Sequence, residues 1–299
     1  MNLTRTQFDV LAFLEKEKNE KNLSQRNIAR LTGLSLGTVN KTFTWLSENG
    51  LIDKKSSLSA EGLKALEPYR VRRAVFISAG FGSRLAPITF NTPKALVRVN
   101  GTRIIDTLLD AVSDTGIDEI IIVRGYLGEQ FDQLKYKYPK IQFLENPIYN
   151  ESNNISSAMV ARYFMQNAYV LESDLLLKKP ALICKYQYVS NYLGVPVKRT
   201  DDWCFETRNG IITRIHVGGQ NCHHMFGISY WNQTDGAKLA DHIKMVFEMP
   251  GGKERYWDQV PLEYFIKDYA VEVRECTFDD IIEIDTFNEL KKLDETYRV

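Results

Sequence analysis

In SAGFGSRLAPITFNTPKAL, Ser78 to Leu96, two glycines, an arginine and a lysine follow a short apolar run. Gly80 and Gly82 carry no side chain, so the backbone there can approach an anion and offer it N–H groups. Arg84 and Lys94 bring the positive charge that a polyphosphate needs, and Pro87 and Pro93 stiffen the segment between them. Neither the P-loop spacing nor the GxGxxG of a dinucleotide site is present. These residue types suggest phosphate binding. A plain turn with solvated basic residues is the alternative.

A second set of residues suits a cation. Trp203 lies in TDDWCFE, Tyr256, Trp257 and Asp258 in ERYWDQVP, and Glu283 and Asp285 in IEID. Glu283 and Asp285 alternate with isoleucine, so both face one way on a strand. Aromatic faces with carboxylates make a cage for a quaternary ammonium, each face contributing up to ~2 kcal/mol when desolvated. Core packing is the alternative for Trp203 and Trp257. His223 and His224 are adjacent and would face opposite ways on a strand, so they do not share a metal. All four histidines are read as structural or surface groups.

The elements that must position these groups follow from periodicity. AVFIS from Ala74, EIIIV at 119–123 and AYVLE at 168–172 read as buried strands, and IQFLEN as a further extended piece. Ile104, Leu108 and Val112 mark a helix; EQFDQLKYKY and SSAMVARYFMQ read as two more. Strands alternating with helices predict an α/β fold, a mostly parallel sheet with helices on both faces. From about Asn191 the pattern becomes extended. Asn209-Gly210 predicts a hairpin, adding an antiparallel patch before two final helices.

The first 70 residues read differently. Phe8, Leu11 and Leu14 recur at helical spacing, Ser24 caps a helix through Ile28 and Leu31, and Gly33 breaks it. Ser35 caps a third helix carrying Val39, Phe43 and Leu46, ended by Asn49-Gly50. LIDKKSSLS then fits a small wing and AEGLKALEPY a closing helix. This order resembles a winged helix-turn-helix. Ser35, Thr38, Asn40 and Lys41 would face DNA, with Lys54 and Lys55 in the wing. DNA contact through residues 24–55 is thus one expectation, with a homodimer needed to span two half-sites. Residues 1–70 hold 11 Lys and Arg against 8 Asp and Glu, a net +3, which is weak for a strong DNA binder. A folded module used for dimerisation, or inherited without DNA binding, is the alternative. The expected domains are 1–68 and 73–299, joined by EPYRVRR.

The bulk numbers exclude little. The 299 residues carry no net charge, so the chain has no general attraction to nucleic acid or to an anionic membrane. No apolar run approaches the length of a membrane helix, and MNLTRTQFDV has no signal-peptide pattern. Cys184, Cys204, Cys222 and Cys276 form no CxxC pair and read as free thiols. A cytoplasmic protein without membrane partners is expected.

The glycine-rich stretch also carries a resemblance. AGFGSRLAPITFNTPKAL matches G-x-G-[ST]-R-x-x-P-x-T followed by P-K, the signature loop of the nucleotidyltransferases that activate sugar phosphates and phosphocholine. The N-T-P-K-A-L ending, the Y-W-D triplet and the E-I-D ending resemble the bacterial CTP:phosphocholine cytidylyltransferases. The resemblance covers about residues 73–299 and implies a Rossmann-like sheet, CTP and phosphocholine as substrates, and Mg²⁺. It places Arg84 on the leaving phosphates and Lys94 near the α-phosphate, with the backbone of Ala79, Gly80, Gly82 and Ser83 cradling the nucleotide. It puts Tyr126 and Asn154 near the nucleotide, with Asn154 in reach of base or ribose, and Asp174 and Asp285 on the metal. It assigns Trp203, Tyr256, Trp257, Asp258 and Glu283 to the acceptor. Transfer to a sugar 1-phosphate or to aminoethylphosphonate, and a regulator that only senses a nucleotide, are the competing readings.

Overall fold

The computed structural model describes residues 2–18, 24–53 and 56–298. The chain forms two compact units. One is Met1–Arg70 with Tyr186–Tyr188; the other is Val71–Lys185 with Val189–Val299.

In the first unit, α1 (Arg5–Lys16) begins at Thr4, whose hydroxyl and Gln7 form a capping box. Ser24 caps α2 (Gln25–Thr32), and Gly33 ends it in the left-handed conformation that glycine adopts without strain. Ser35 caps α3 (Leu36–Glu48), and Ser59 caps α4 (Ala60–Leu66). Phe8, Leu11, Leu14, Ile28, Val39, Phe43 and Leu46 form the core of this unit. Leu31 does not join them and is 55% exposed. The wing is a single bridge, Ile52 to Leu58, and Lys54 and Lys55 lie outside the described residues. Tyr188 completes the unit by stacking on Tyr69 and meeting Phe8. Nothing in the sequence near 186 announces that role.

The second unit opens with β1 (Arg73–Ser78). Two short strands, β2 (Arg98–Val99) and β3 (Thr102–Arg103), precede α5 (Ile104–Asp114). Then follow β4 (Glu119–Arg124), β5 (Ile141–Glu145), α6 (Ile155–Ala161), β6 (Ala168–Glu172) and β7 (Leu175–Leu177). A long hairpin of β8 (Asn191–Arg208) and β9 (Ile211–Trp231) leads to α7 (Gln233–Glu248), β10 (Glu272–Glu275), β11 (Ile281–Glu283) and α8 (Phe287–Leu293). Asn209 and Gly210 turn the hairpin, both with positive φ, as a type I′ turn requires.

Seven strands form one sheet in the order β10-β8-β9-β6-β1-β4-β5. The pairs β6–β1, β1–β4 and β4–β5 are parallel, whereas β9 runs antiparallel to β6 and β8. Leu108 and Val112 of α5 pack with Phe76, Ile120 and Ile122 on one face. Ile155, Ala158, Leu239 and Ile243 of α6 and α7 pack with Val75, Ile121 and Val123 on the other. The helix expected over EQFDQLKYKY is a 3-10 run, Gly128–Tyr136. Among the described residues no helix is long and apolar enough to cross a membrane.

Candidate active site

β1 ends where the glycine-rich loop begins, at the carboxyl end of the parallel strands where open α/β sheets bind ligands. Gly82 has φ 61°, and a Cβ there would lie 2.8 Å from Lys94 Cβ. Both the backbone and the space require glycine. A Cβ on Gly80 would meet nothing within 4 Å, so this bare backbone borders open space. Thr89 Oγ1 donates to the Gly82 carbonyl at 3.0 Å and pins the loop on itself. Leu85 is buried with Val97, Val99, Ile104, Ile284 and Leu290. Burying that leucine contributes ~1.5–3 kcal/mol. It also ties the loop to the chain that carries Asp285.

Lys94 Nζ donates at 2.7 Å to Asp174 Oδ2 and at 2.7 Å to Asp285 Oδ1. Arg84 Nη2 donates to the same Asp285 oxygen at 2.8 Å. Burial alone would push the Lys94 ammonium toward neutrality, but the two carboxylates outweigh it and hold the group protonated. Asp174 Oδ1 is buried and has no hydrogen-bond partner among the described residues. A buried carboxylate oxygen without a donor suits a hard cation. Glu172, Asp174 and Glu283 each bring an oxygen within 4.8 Å of the others. Asp285 reaches this triad through Lys94. Asp285 does not cap α8; Thr286 does, in a capping box with Glu289. Glu289 Oε2 accepts from the Asp285 N–H at 2.9 Å, which fixes the backbone and leaves the carboxylate facing the lysine.

Ala79, Gly80, Gly82, Ser83, Arg84 and Lys94 line a cavity of about 580 Å³. So do Asn154, Asp174, Trp203, Tyr256, Asp258, Glu283 and Asp285. Two expected residues stand elsewhere. Tyr126 donates its hydroxyl to the carbonyls of Thr89 (2.9 Å) and Phe90 (3.1 Å), so it braces the loop from behind. Trp257 is 1% exposed and packs against Tyr192 and Trp231 in the core. Neighbouring residues in Tyr256-Trp257-Asp258 point different ways, and the middle one points inward. Asn154 keeps its place on the wall with both ends engaged. Its Oδ1 accepts from the Trp257 N–H at 2.9 Å and its Nδ2 donates to Glu172 at 3.5 Å.

The aromatic faces left on the wall near the acids are Trp203 and Tyr256, whose rings meet edge-on at 5.5 Å. The acids beside them have unusual proton affinity. Burial raises Asp258 to about 7, although the Tyr192 hydroxyl donates to its carboxylate and works the other way. Burial also pushes Glu172 well up, helped by the charges of Asp174, Asp258 and Glu283. Glu283 is raised by burial and by Asp174 and Asp285. Carboxylates this crowded favour a bound cation, which removes both the repulsion and the desolvation cost.

Glu172, two residues before Asp174, would point the same way on a continued strand, and its carboxylate does lie beside that of Asp174. Glu172-Ser-Asp174 and Glu283-Ile-Asp285 share one E-x-D spacing. β7 and β11 pair antiparallel with Leu175 opposite Glu283, which brings the two copies together. The four histidines all have partners: Gly218 for His216, Glu275 for His223, Thr200 for His224 and Tyr269 for His242.

The first unit has a separate polar face. Ser35 and Thr38 bond each other at 2.8 Å, and Ser35 also caps α3, so neither hydroxyl is idle. Asn40 and Lys41 on α3, and Arg26 and Arg30 on α2, are exposed.

Two parts of the chain resemble known families. Residues 73–188 match the nucleotidyl transferase family and residues 1–59 the MarR family. A 2-aminoethylphosphonate cytidylyltransferase of Lancefieldella rimae is 33% identical over 228 residues, 75% of this chain and 92% of the relative. A choline-phosphate cytidylyltransferase of Haemophilus influenzae is 32% identical, over 72% of this chain and 93% of its own. The solved CTP:phosphocholine cytidylyltransferase of Streptococcus pneumoniae superposes with a TM-score of 0.70 at 32% identity, covering 76% of this chain and 99% of that one.

Proposed function

The chain belongs to the nucleotidyl transferase family, with cytidylyltransferases as its relatives, and on that premise we propose that it transfers CMP from CTP to phosphocholine, giving CDP-choline and pyrophosphate. The observation that carries this reading is Lys94, held between Asp174 and Asp285 beside a bare glycine loop. An oxygen of the acceptor phosphate attacks the α-phosphorus in line. The bond to the bridging oxygen breaks, and pyrophosphate leaves with the electron pair. Positioning two anions and neutralising the charge on the departing one is most of the task. The loop backbone and Lys94 serve the α-phosphate. Arg84, 67% exposed at its side chain, would exchange its ion pair with Asp285 for the leaving phosphates.

Asp174 and Asp285 would hold Mg²⁺, with Glu172 and Glu283 alongside, and Asp174 Oδ1, without a hydrogen-bond partner among the described residues, supports that fit. When bound, the ion neutralises phosphate charge. At the acceptor end, Trp203 and Tyr256 offer faces to the trimethylammonium, and Asp258 and Glu283 offer charge.

A second reading, 2-aminoethylphosphonate as acceptor, is favoured by the inward turn of Trp257. Two aromatic faces then stand beside Glu172, Asp202, Asp258 and Glu283, and that many carboxylates suit a primary ammonium with hydrogens to donate. Pyrophosphate release with Mg²⁺ and CTP, running phosphocholine beside 2-aminoethylphosphonate and glucose 1-phosphate, separates the readings. Turnover with phosphocholine alone supports the first. Turnover with the phosphonate alone replaces it with the second, and turnover with the sugar phosphate alone removes both.

The first unit would bind duplex DNA through α3, with Asn40 at base edges and Lys41, Arg26 and Arg30 on phosphates. Two copies of the chain would then be needed to cover two half-sites.

A further inference from the structure

One ring on the cavity wall has no part in the transfer just described. Phe81 sits between Gly80 and Gly82 and is 45% exposed, in a loop otherwise bare at this point. Its ring meets Tyr126 at 5.1 Å between centroids and a 52° tilt, and Tyr149 at 5.4 Å and 57°. Both supports are themselves fixed. The Tyr126 hydroxyl is tied to two loop carbonyls. Tyr149 rests on Gly125, where a Cβ would come within 2.7 Å of its ring. A phenyl ring braced by two others and exposed on a cavity wall costs apolar hydration unless something flat covers it. On a loop built for phosphates, the flat group that arrives attached to the phosphates is the nucleobase.

We infer that Phe81, backed by Tyr126 and Tyr149, is the stacking platform for the base of the nucleoside triphosphate, and hence a positioning residue for the transfer. The inference rests on the reading that this cavity takes such a nucleotide. Stacking uses the π face of the base and tolerates any edge pattern, so Phe81 adds affinity and register rather than a choice between cytosine and uracil.

The test compares binding of Mg-CTP with binding of Mg-tripolyphosphate, which has the phosphates and no base. Wild type should bind CTP more tightly. Phe81→Ala should weaken CTP about ten-fold or more and leave tripolyphosphate unchanged, whereas Phe81→Tyr should restore CTP. Equal weakening of both ligands would mean that the ring only shapes the loop, and overturns the inference. So does an unchanged CTP affinity in Phe81→Ala, or a wild type with no preference for CTP. Binding is read without an acceptor. A protein that binds CTP through Phe81 but transfers to no acceptor would refute the transfer and leave the platform standing.

Discussion

The ammonium of Lys94 carries two opposed demands. It is nearly buried, yet it stays charged because Asp174 and Asp285 share it. Lys94→Ala should lower kcat by about 10²–10³, the usual loss for one donor aimed at developing charge. It should also leave two carboxylates facing each other without a counter-ion. Mg²⁺ should therefore raise the Tm of the variant more than that of wild type, as thermal melts with and without the ion would show. Asp258 gives a pH signature. Its carboxyl titrates at about 7 in the folded chain against 3.8 ordinarily, chiefly through burial. The folded state holds that proton more tightly, so the stability it contributes is full below about 4 and lost as pH rises through about 7. The ionised form is the one that meets a cationic acceptor. Acceptor KM should thus fall as pH rises through about 7, and Asp258→Asn should flatten that profile. An unchanged profile in the variant would remove Asp258 from the acceptor site.

At the scale of elements, Asp285 stands where it does because α8 is capped by someone else. Glu289 accepts from the N–H groups of Asp285 and Thr286 at 2.9 and 2.8 Å. Glu289→Ala should cost about 1 kcal/mol of stability, the usual worth of such a cap, and should lower activity as Asp285 loosens. A stability loss with full activity would show that the cap does not position the acid. Much of this level was legible in the sequence. Ser24, Ser35 and Asn209-Gly210 announced caps and a turn because their chemistry is local. Gly82 announced a close approach. Trp257 and Tyr126 were not legible, because a motif fixes residue type and spacing but not side-chain direction. Tyr256, Trp257 and Asp258 point to cavity, core and cavity in a segment outside any strand, where no alternation could be read. The pairing of Glu172 with Glu283 depends on β7 meeting β11 across a hundred residues, and only the fold supplies that.

At the scale of the whole molecule, a MarR-type winged helix and a nucleotidyltransferase share one chain. Net charge was uninformative here, since neither phosphate chemistry nor a DNA surface needs an excess over the whole chain. The two proposed activities should separate by mutation. Lys41→Ala in the full chain should weaken duplex binding in low salt, near 50 mM, and reduce its salt dependence by about one ion. Pyrophosphate release should be unaffected. Absence of any duplex binding by wild type in low salt would remove DNA from the account and leave the transferase untouched.

The central proposal is that CMP moves from CTP to phosphocholine at the Lys94–Asp174–Asp285 centre. The most direct measurement follows the α-phosphorus itself: CTP labelled with ³²P at the α-position, incubated with Mg²⁺ and phosphocholine, and the products separated. The account predicts label in CDP-choline with wild type and almost none with Lys94→Ala. Label that stays in CTP with folded wild type, or that passes into CDP-choline equally well without the lysine, would contradict it.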